Sequence, residues 1–191
     1  WERAISLFRM NFSVVFQMRA DMPAAIGGLV WFAYDKPGTS CYIPIYAGAK
    51  YLPKSFETGN RGANYDVFSR ESAWWAFNFT SNYANLRYSD MIKDIKAVSG
   101  PLEAEFFALQ PYIEKAAADL YAKDPELAKD FITQYTNSAA NKVVSAYWKL
   151  ASTLAARYTD GYVYGYDDGK LTGPGYPKEW LEAVGFGIST I

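Results

Sequence analysis

The chain contains no histidine and one cysteine, Cys41. Ser-His-Asp triads, Cys-His pairs and imidazole metal sites cannot be assembled from these residues alone, and neither an intrachain disulfide nor a thiolate zinc site can form. The side chains left for chemistry are carboxylates, guanidiniums, amides, phenols and a single thiol. Cys41 falls in a predicted strand with no base beside it, and a thiol is reactive only where its pKa is lowered, so the expectation is buried packing. Arg19 and Asp21 stand two residues apart at the end of the first predicted strand, on the same side if the strand reaches that far. An Arg at a strand end can clamp a carboxylate through two parallel hydrogen bonds with Asp21 fixing its orientation, or the two can form an ordinary structural ion pair. A polar seam marks the first predicted helix: Glu71, Asn78, Asn82, Asn85 and Ser89 fall within an arc of about 60° at 100° per residue. Buried amides are costly unless paired. The seam therefore either satisfies loop and strand backbone groups or holds a binding-site wall in place.

The elements that must position these groups are legible from periodicity. In Phe12–Arg19, Phe12, Val14, Phe16 and Met18 alternate onto one face, with Ser13, Gln17 and Arg19 on the other, which reads as a half-buried strand with the apolar face inward. Leu29–Tyr34 is a continuous apolar run, followed by the turn residues Asp35-Lys36-Pro37-Gly38 and a second run from Ser40 to Ala47, so the two should pair as a hairpin. Pro44 lacks the N–H that a central ladder requires, which makes the second arm an edge strand or a bulged one. Residues 1–47 are thus strand-rich, and a Gly-, Pro- and Asn-rich stretch from Gly48 to Asn64 leads away from them.

Residues 66–158 read as helical: one segment from Asp66 to Val98, a second opened by Ser99-Gly100-Pro101 and a third by Asp124-Pro125. Pro111 should kink the second. The stripe Phe77, Ala84, Tyr88, Met91, Ile95 and Val98 and the stripe Ala139, Val143, Tyr147, Leu150, Leu154 and Tyr158 both need apolar partners. Residues 159–191 are rich in Tyr and Gly, with a hairpin turn expected at Asp167-Asp168-Gly169 and a short helix from Pro177 to Val184. The whole reads as one α+β unit over 1–191, strands first and helices after.

With 50% hydrophobic residues, a chain of 191 residues should bury roughly 70% of its unfolded surface, which excludes disorder for most of its length. Its 19 Lys and Arg against 20 Asp and Glu leave no cation excess to displace the counterions of a nucleic acid. No stretch approaches the ~20 apolar residues of a membrane span. Neither a nucleic acid nor a membrane is an expected partner. The aromatic content reads mainly as core, with a sugar-binding surface as the alternative. The start at Trp1 suggests a piece of something longer.

The ordered segments Phe16-Gln17-Met18-Arg19-Ala20-Asp21-Met22-Pro23, Ile26-Gly27-Gly28-Leu29-Val30-Trp31, Tyr42-Ile43-Pro44-Ile45-Tyr46-Ala47-Gly48, Ser72-Ala73-Trp74-Trp75-Ala76-Phe77-Asn78 and Ser81-Asn82-Tyr83-Ala84 together resemble the dipeptidase A family of bacterial cysteine peptidases, to which the secernins are related. The resemblance runs from Glu2-Arg3-Ala4-Ile5-Ser6 to Tyr158-Thr159-Asp160-Gly161 and matches the C-terminal half of a family member. It implies the C-terminal portion of an αββα N-terminal-nucleophile hydrolase sandwich, hydrolysing short peptides. In such enzymes an N-terminal Cys attacks the carbonyl and its own α-amino group is the base, so no histidine is required. That nucleophile would lie outside this chain, Cys41 does not correspond to it, and the isolated chain should be inactive. The resemblance implies Arg3 or Arg19 as an arginine close to the nucleophile; Asp21 beside Arg19, and Asn78 and Asn82 of the polar seam, are the candidate substrate-side residues. Arg19→Ala is expected to cost turnover more than stability. No cofactor or metal is implied. Expected partners are a short peptide, the missing N-terminal half of the same polypeptide and a second copy in a homo-oligomer. A non-peptide amide hydrolase of the same superfamily and a non-catalytic binding module are the alternatives.

Overall fold

The structure, a computed structural model, describes residues 3–57, 67–165, 169–173 and 175–186. Strand β1 (Phe12–Met18) pairs antiparallel with β2 (Gly28–Tyr34), which pairs antiparallel with β3 (Ile43–Tyr46), in the spatial order β1-β2-β3. The expected hairpin is thus present. Pro44 sits opposite Trp31 on an outer strand, where its missing N–H leaves no ladder bond unmade. A one-turn helix, α1 (Ala24–Gly27), joins β1 to β2. The chain turns tightly there: Arg19 N–H donates to the Gly27 carbonyl at 3.0 Å, and a Cβ on Gly27 would collide with the Arg19 carbonyl oxygen.

After the short helix α2 (Lys54–Glu57), three long helices follow: α3 (Ala73–Ala84), α4 (Tyr88–Tyr121) and α5 (Pro125–Arg157). Ser72 Oγ caps α3 by accepting the Trp75 N–H, and Asp124 Oδ1 accepts the N–H groups of Glu126 and Leu127 at the start of α5, as its sequence signal indicates. The first helical boundary differs from expectation. The chain breaks at a 3-10 turn, Asn85–Arg87, and then runs as one helix through Ser99-Gly100-Pro101 and Pro111. Propensity is overridden by packing: Met91, Ile95, Leu102, Phe106 and Ala117 are buried along one face while Gly100, Pro101 and Pro111 are exposed. A proline in a helix costs about 3 kcal/mol, and a buried face of this length offsets that for each ring placed toward solvent.

The core joins Leu29, Trp31 and Tyr46 of the sheet to Leu102 and Phe106 of α4 and to Ile132, Val143 and Tyr147 of α5. The α5 stripe finds its partner here, with the Tyr147 and Phe77 rings 4.3 Å apart. The first strand is covered on the opposite face from the one expected. Phe12, Val14, Phe16 and Met18 do share a face, but Phe12, Phe16 and Met18 are more than half exposed, whereas Ser13 and Gln17 face the helical side through bonds to Tyr42, Trp31 and Gln110. The alternation defines the two faces without saying which is covered. Register places Val30, Phe32 and Ile45 on the same face, which is closed at its Tyr34 and Ile43 end, where Phe56 packs against Tyr34 and Phe32.

Contacts divide the chain into two compact units, Trp1–Leu154 and Ala155–Ile191. In the second, β4 (Val163–Tyr164) pairs antiparallel with β5 (Leu171–Thr172), and α6 (Lys178–Ala183) follows Pro177 near the expected place. The Asp167-Asp168 part of the expected turn lies outside the described residues. Among the described residues, no helix is long and apolar enough to cross a membrane.

Candidate functional site

Two buried polar networks flank the sheet. The first lies at the end of β1. The Arg19 guanidinium donates through Nη2 to Glu114 Oε1 at 2.5 Å and to the Ile26 carbonyl at 3.0 Å. The same carboxylate oxygen accepts from Tyr46 Oη at 3.2 Å and from Gln110 Nε2 at 2.9 Å. Gln110 Nε2 also donates to Gln17 Oε1, which takes a further bond from Trp31 Nε1 at 3.0 Å. Glu114, 8% exposed, is thus neutralised by a guanidinium and surrounded by donors, the condition for burying a charge. Arg19 Nε and Nη1 are buried with no hydrogen-bond partner. Burial, followed by the charge of Glu114, pushes the Tyr46 phenol well above its ordinary range, so it donates as a neutral group throughout the physiological range. This network ties β1, α1 and β3 to α4.

The second network lies where β2 ends. Asp35, 1% exposed, adopts a left-handed backbone with φ of 61°. Such strain costs on the order of 1 kcal/mol in a non-glycine residue, and the carboxylate offsets it locally. Oδ1 accepts the Lys36 N–H and Oδ2 accepts Asn78 Nδ2, each at 2.7 Å. Asn82 Nδ2 donates to Asn78 Oδ1 at 2.8 Å. Lys36, 5% exposed, donates from Nζ to Asn85 Oδ1 at 2.8 Å and lies 5.7 Å from the centre of the Tyr88 ring. Burial lowers its pKa, with the neighbouring Asp35 charge opposing the shift. Tyr147 Oη donates to the Thr39 carbonyl and Thr39 Oγ1 to Ser81 Oγ, so the turn after Lys36 is pinned to α3 and α5.

The sequence-predicted residues separate into three groups. Asn78 and Asn82 come together and find partners, though on the Asp35 side chain and on each other instead of on the backbone groups expected. Arg19 finds a carboxylate, but it is Glu114, 95 positions away, and Asp21 is exposed. Arg3 is exposed. Cys41 is fully buried, and desolvation together with the Glu103 charge raises its thiol pKa far above normal, the opposite of nucleophile activation. Asp35, Lys36, Gln110 and Glu114 were not singled out by sequence reasoning. Glu114 carried a signal: an acid in register with the buried Phe106 and Ala117 on one helix face. Among the described residues, no three His, Cys, Asp or Glu side chains come together as metal ligands would.

Comparison with known families bears on what this scaffold serves. The sequence model of peptidase family C69 matches residues 1–100, which include the whole three-stranded sheet and α3. The chain belongs to peptidase family C69. This is the dipeptidase A-like family of cysteine peptidases that the ordered motifs imply. Among curated relatives, a probable dipeptidase of Salmonella dublin is 37% identical over 60 residues, covering 31% of this chain and 14% of that protein. A probable dipeptidase B of Streptococcus pyogenes serotype M1 is 26% identical over 138 residues, covering 67% of this chain and 25% of that protein. The C69 chain therefore spans a quarter or less of the length of either relative. The matched region contains Arg3, Arg19, Asp21, Asn78 and Asn82, while Gln110 and Glu114 lie beyond it.

Proposed function

We propose that this chain is part of a dipeptidase that cleaves short peptides with a free amino end, its attacking thiolate supplied by a Cys outside these residues. The observation that carries this reading is the family match over residues 1–100 in a chain whose lone thiol is sealed in the core. In the proposed step the outside thiolate adds to the peptide carbonyl, its own α-amino group takes up and returns the proton, the amine leaves, and water releases the acyl group. The open apolar sheet face of Phe12, Val14, Phe16, Met18, Val30 and Phe32 supports a further layer supplied by the rest of the polypeptide, as an αββα sandwich requires. The homo-oligomer belongs to the same proposal and is tested by light scattering on the complete protein.

Of the two candidate arginines, Arg3 is assigned to the substrate side because its side chain is exposed, whereas the Arg19 guanidinium is engaged by Glu114 and Ile26. Asp21, also exposed, is assigned to the peptide's ammonium end; Asn78 and Asn82 brace the turn at Asp35. A panel of dipeptides, acylated amines and bile-salt-type amides assayed on the complete protein tests the reading. Turnover confined to dipeptides supports it, and turnover confined to the other amides replaces it with the amidase alternative.

A further inference from the structure

A groove of about 430 Å³ opens between β1 and α4, on the helical side of the sheet. Its size is that of a small-molecule site, where apolar walls carry affinity and a few polar groups set orientation. Trp31, 5% exposed, lies at its base, and the Phe107 ring packs against it at 4.6 Å. Tyr42 completes the aromatic lining. Val15, which shares the Gln17 face of β1, and Phe107 are both more than half exposed, so apolar surface is available to an occupant.

Charge decides what kind of occupant fits. Glu103 is the one charged residue in the lining, and its other polar groups are the Gln17 and Gln110 amides, the Tyr42 hydroxyl and the Trp31 indole N–H. Its Oε1 accepts the Tyr42 N–H at 2.8 Å, and no ion pair compensates its carboxylate among the described residues. A carboxylate with no ion-pair partner among the described residues, set among aromatic faces whose quadrupoles also attract positive charge, is complementary to an organic ammonium on an apolar arm. An anionic ligand would meet like charge, and a purely apolar one would leave the carboxylate partly desolvated and unpaired.

We infer that this groove is a binding site for a small aromatic or aliphatic ammonium compound, its charge held by Glu103 and its apolar part lying against Trp31 and Phe107. The site stands apart from the peptidase reading, since it needs no nucleophile and is read out by binding. The probe is 2-phenylethylammonium, compared with the uncharged 2-phenylethanol by calorimetry on the complete protein, with the indole N–H resonance of Trp31 reporting location. The ammonium should bind about tenfold more tightly than the alcohol, the difference expected of one partly exposed charge-assisted contact. Glu103→Gln, which keeps an acceptor for the Tyr42 N–H, should bring the two ligands within about twofold of each other. Phe107→Ala, at an exposed ring, should weaken both. Equal binding of the two ligands by the unaltered protein, no binding of the ammonium, an unmoved Trp31 resonance, or a preference that survives Glu103→Gln would each overturn the inference.

Discussion

Glu114 concentrates three donors on one carboxylate oxygen, and the consequence at the residue scale is that its cation cannot be removed cheaply. Arg19→Ala leaves a buried carboxylate unpaired and should lower stability by about 3 kcal/mol, read as a drop in the urea midpoint. Arg3→Ala should leave that midpoint unchanged and lower kcat/KM for dipeptides in the complete protein. If the two variants exchange these phenotypes, the assignments of strut and substrate-side arginine are reversed. This differs from the expectation drawn from sequence, in which Arg19 costs turnover more than stability; the difference comes from a partner 95 positions away that strand periodicity cannot reveal. Cys41 makes a second test: iodoacetamide should modify it only after unfolding, because its thiol is both sealed and held protonated. The polar seam on α3 was legible, since Asn78 and Asn82 lie on one face and buried amides demand partners. Their acceptor, Asp35, was not, because a turn reading of Asp35-Lys36-Pro37-Gly38 gives no sign that the carboxylate points inward.

At the scale of elements, the strands were readable and the helix boundaries less so. The hairpin follows from two apolar runs around a turn, and Pro44 from its missing donor. Helix α4 shows what local signals omit: Ser99-Gly100-Pro101 has the composition of a start, yet the buried stripe on both sides carries the helix across it. Gly100 is exposed and a Cβ there would meet nothing within 4 Å. Gly100→Ala should therefore stabilise by about 1 kcal/mol, the helix-propensity difference, measured as a rise in the urea midpoint. Gly27→Ala should do the reverse and cost more than that gain, since its Cβ meets the Arg19 backbone oxygen. Were Gly100→Ala destabilising, α4 would have to be broken where the sequence signals place the break. The covering of β1 was unreadable for a different reason: β2 is apolar on both faces, and which face is covered depends on the Gln17 and Gln110 bonds to elements far along the chain.

For the molecule as a whole, buried phenols and the open sheet face set the behaviour. Burial raises Tyr34, Tyr46 and Tyr147 well above the ordinary phenol value and pushes Tyr135 up to about 12. A folded pKa above the unfolded one means that the contribution is intact below the ordinary phenol value of 10.0 and is lost as pH climbs toward the folded values. Stability should accordingly fall between about pH 10 and pH 12, with phenolate absorbance rising in step with loss of helix; full titration of the phenols while the helices persist would contradict it. The exposed Phe12, Phe16 and Met18, in turn, describe a surface that the rest of the polypeptide is proposed to cover. This chain is proposed to serve a dipeptidase whose nucleophile lies outside it. Dipeptide hydrolysis by the complete protein, measured before and after alkylation of its N-terminal Cys with Cys41 replaced by Ser, tests that most directly. Activity should survive the replacement and be abolished by alkylation; activity that is lost with Cys41, or that withstands alkylation, would contradict this assignment.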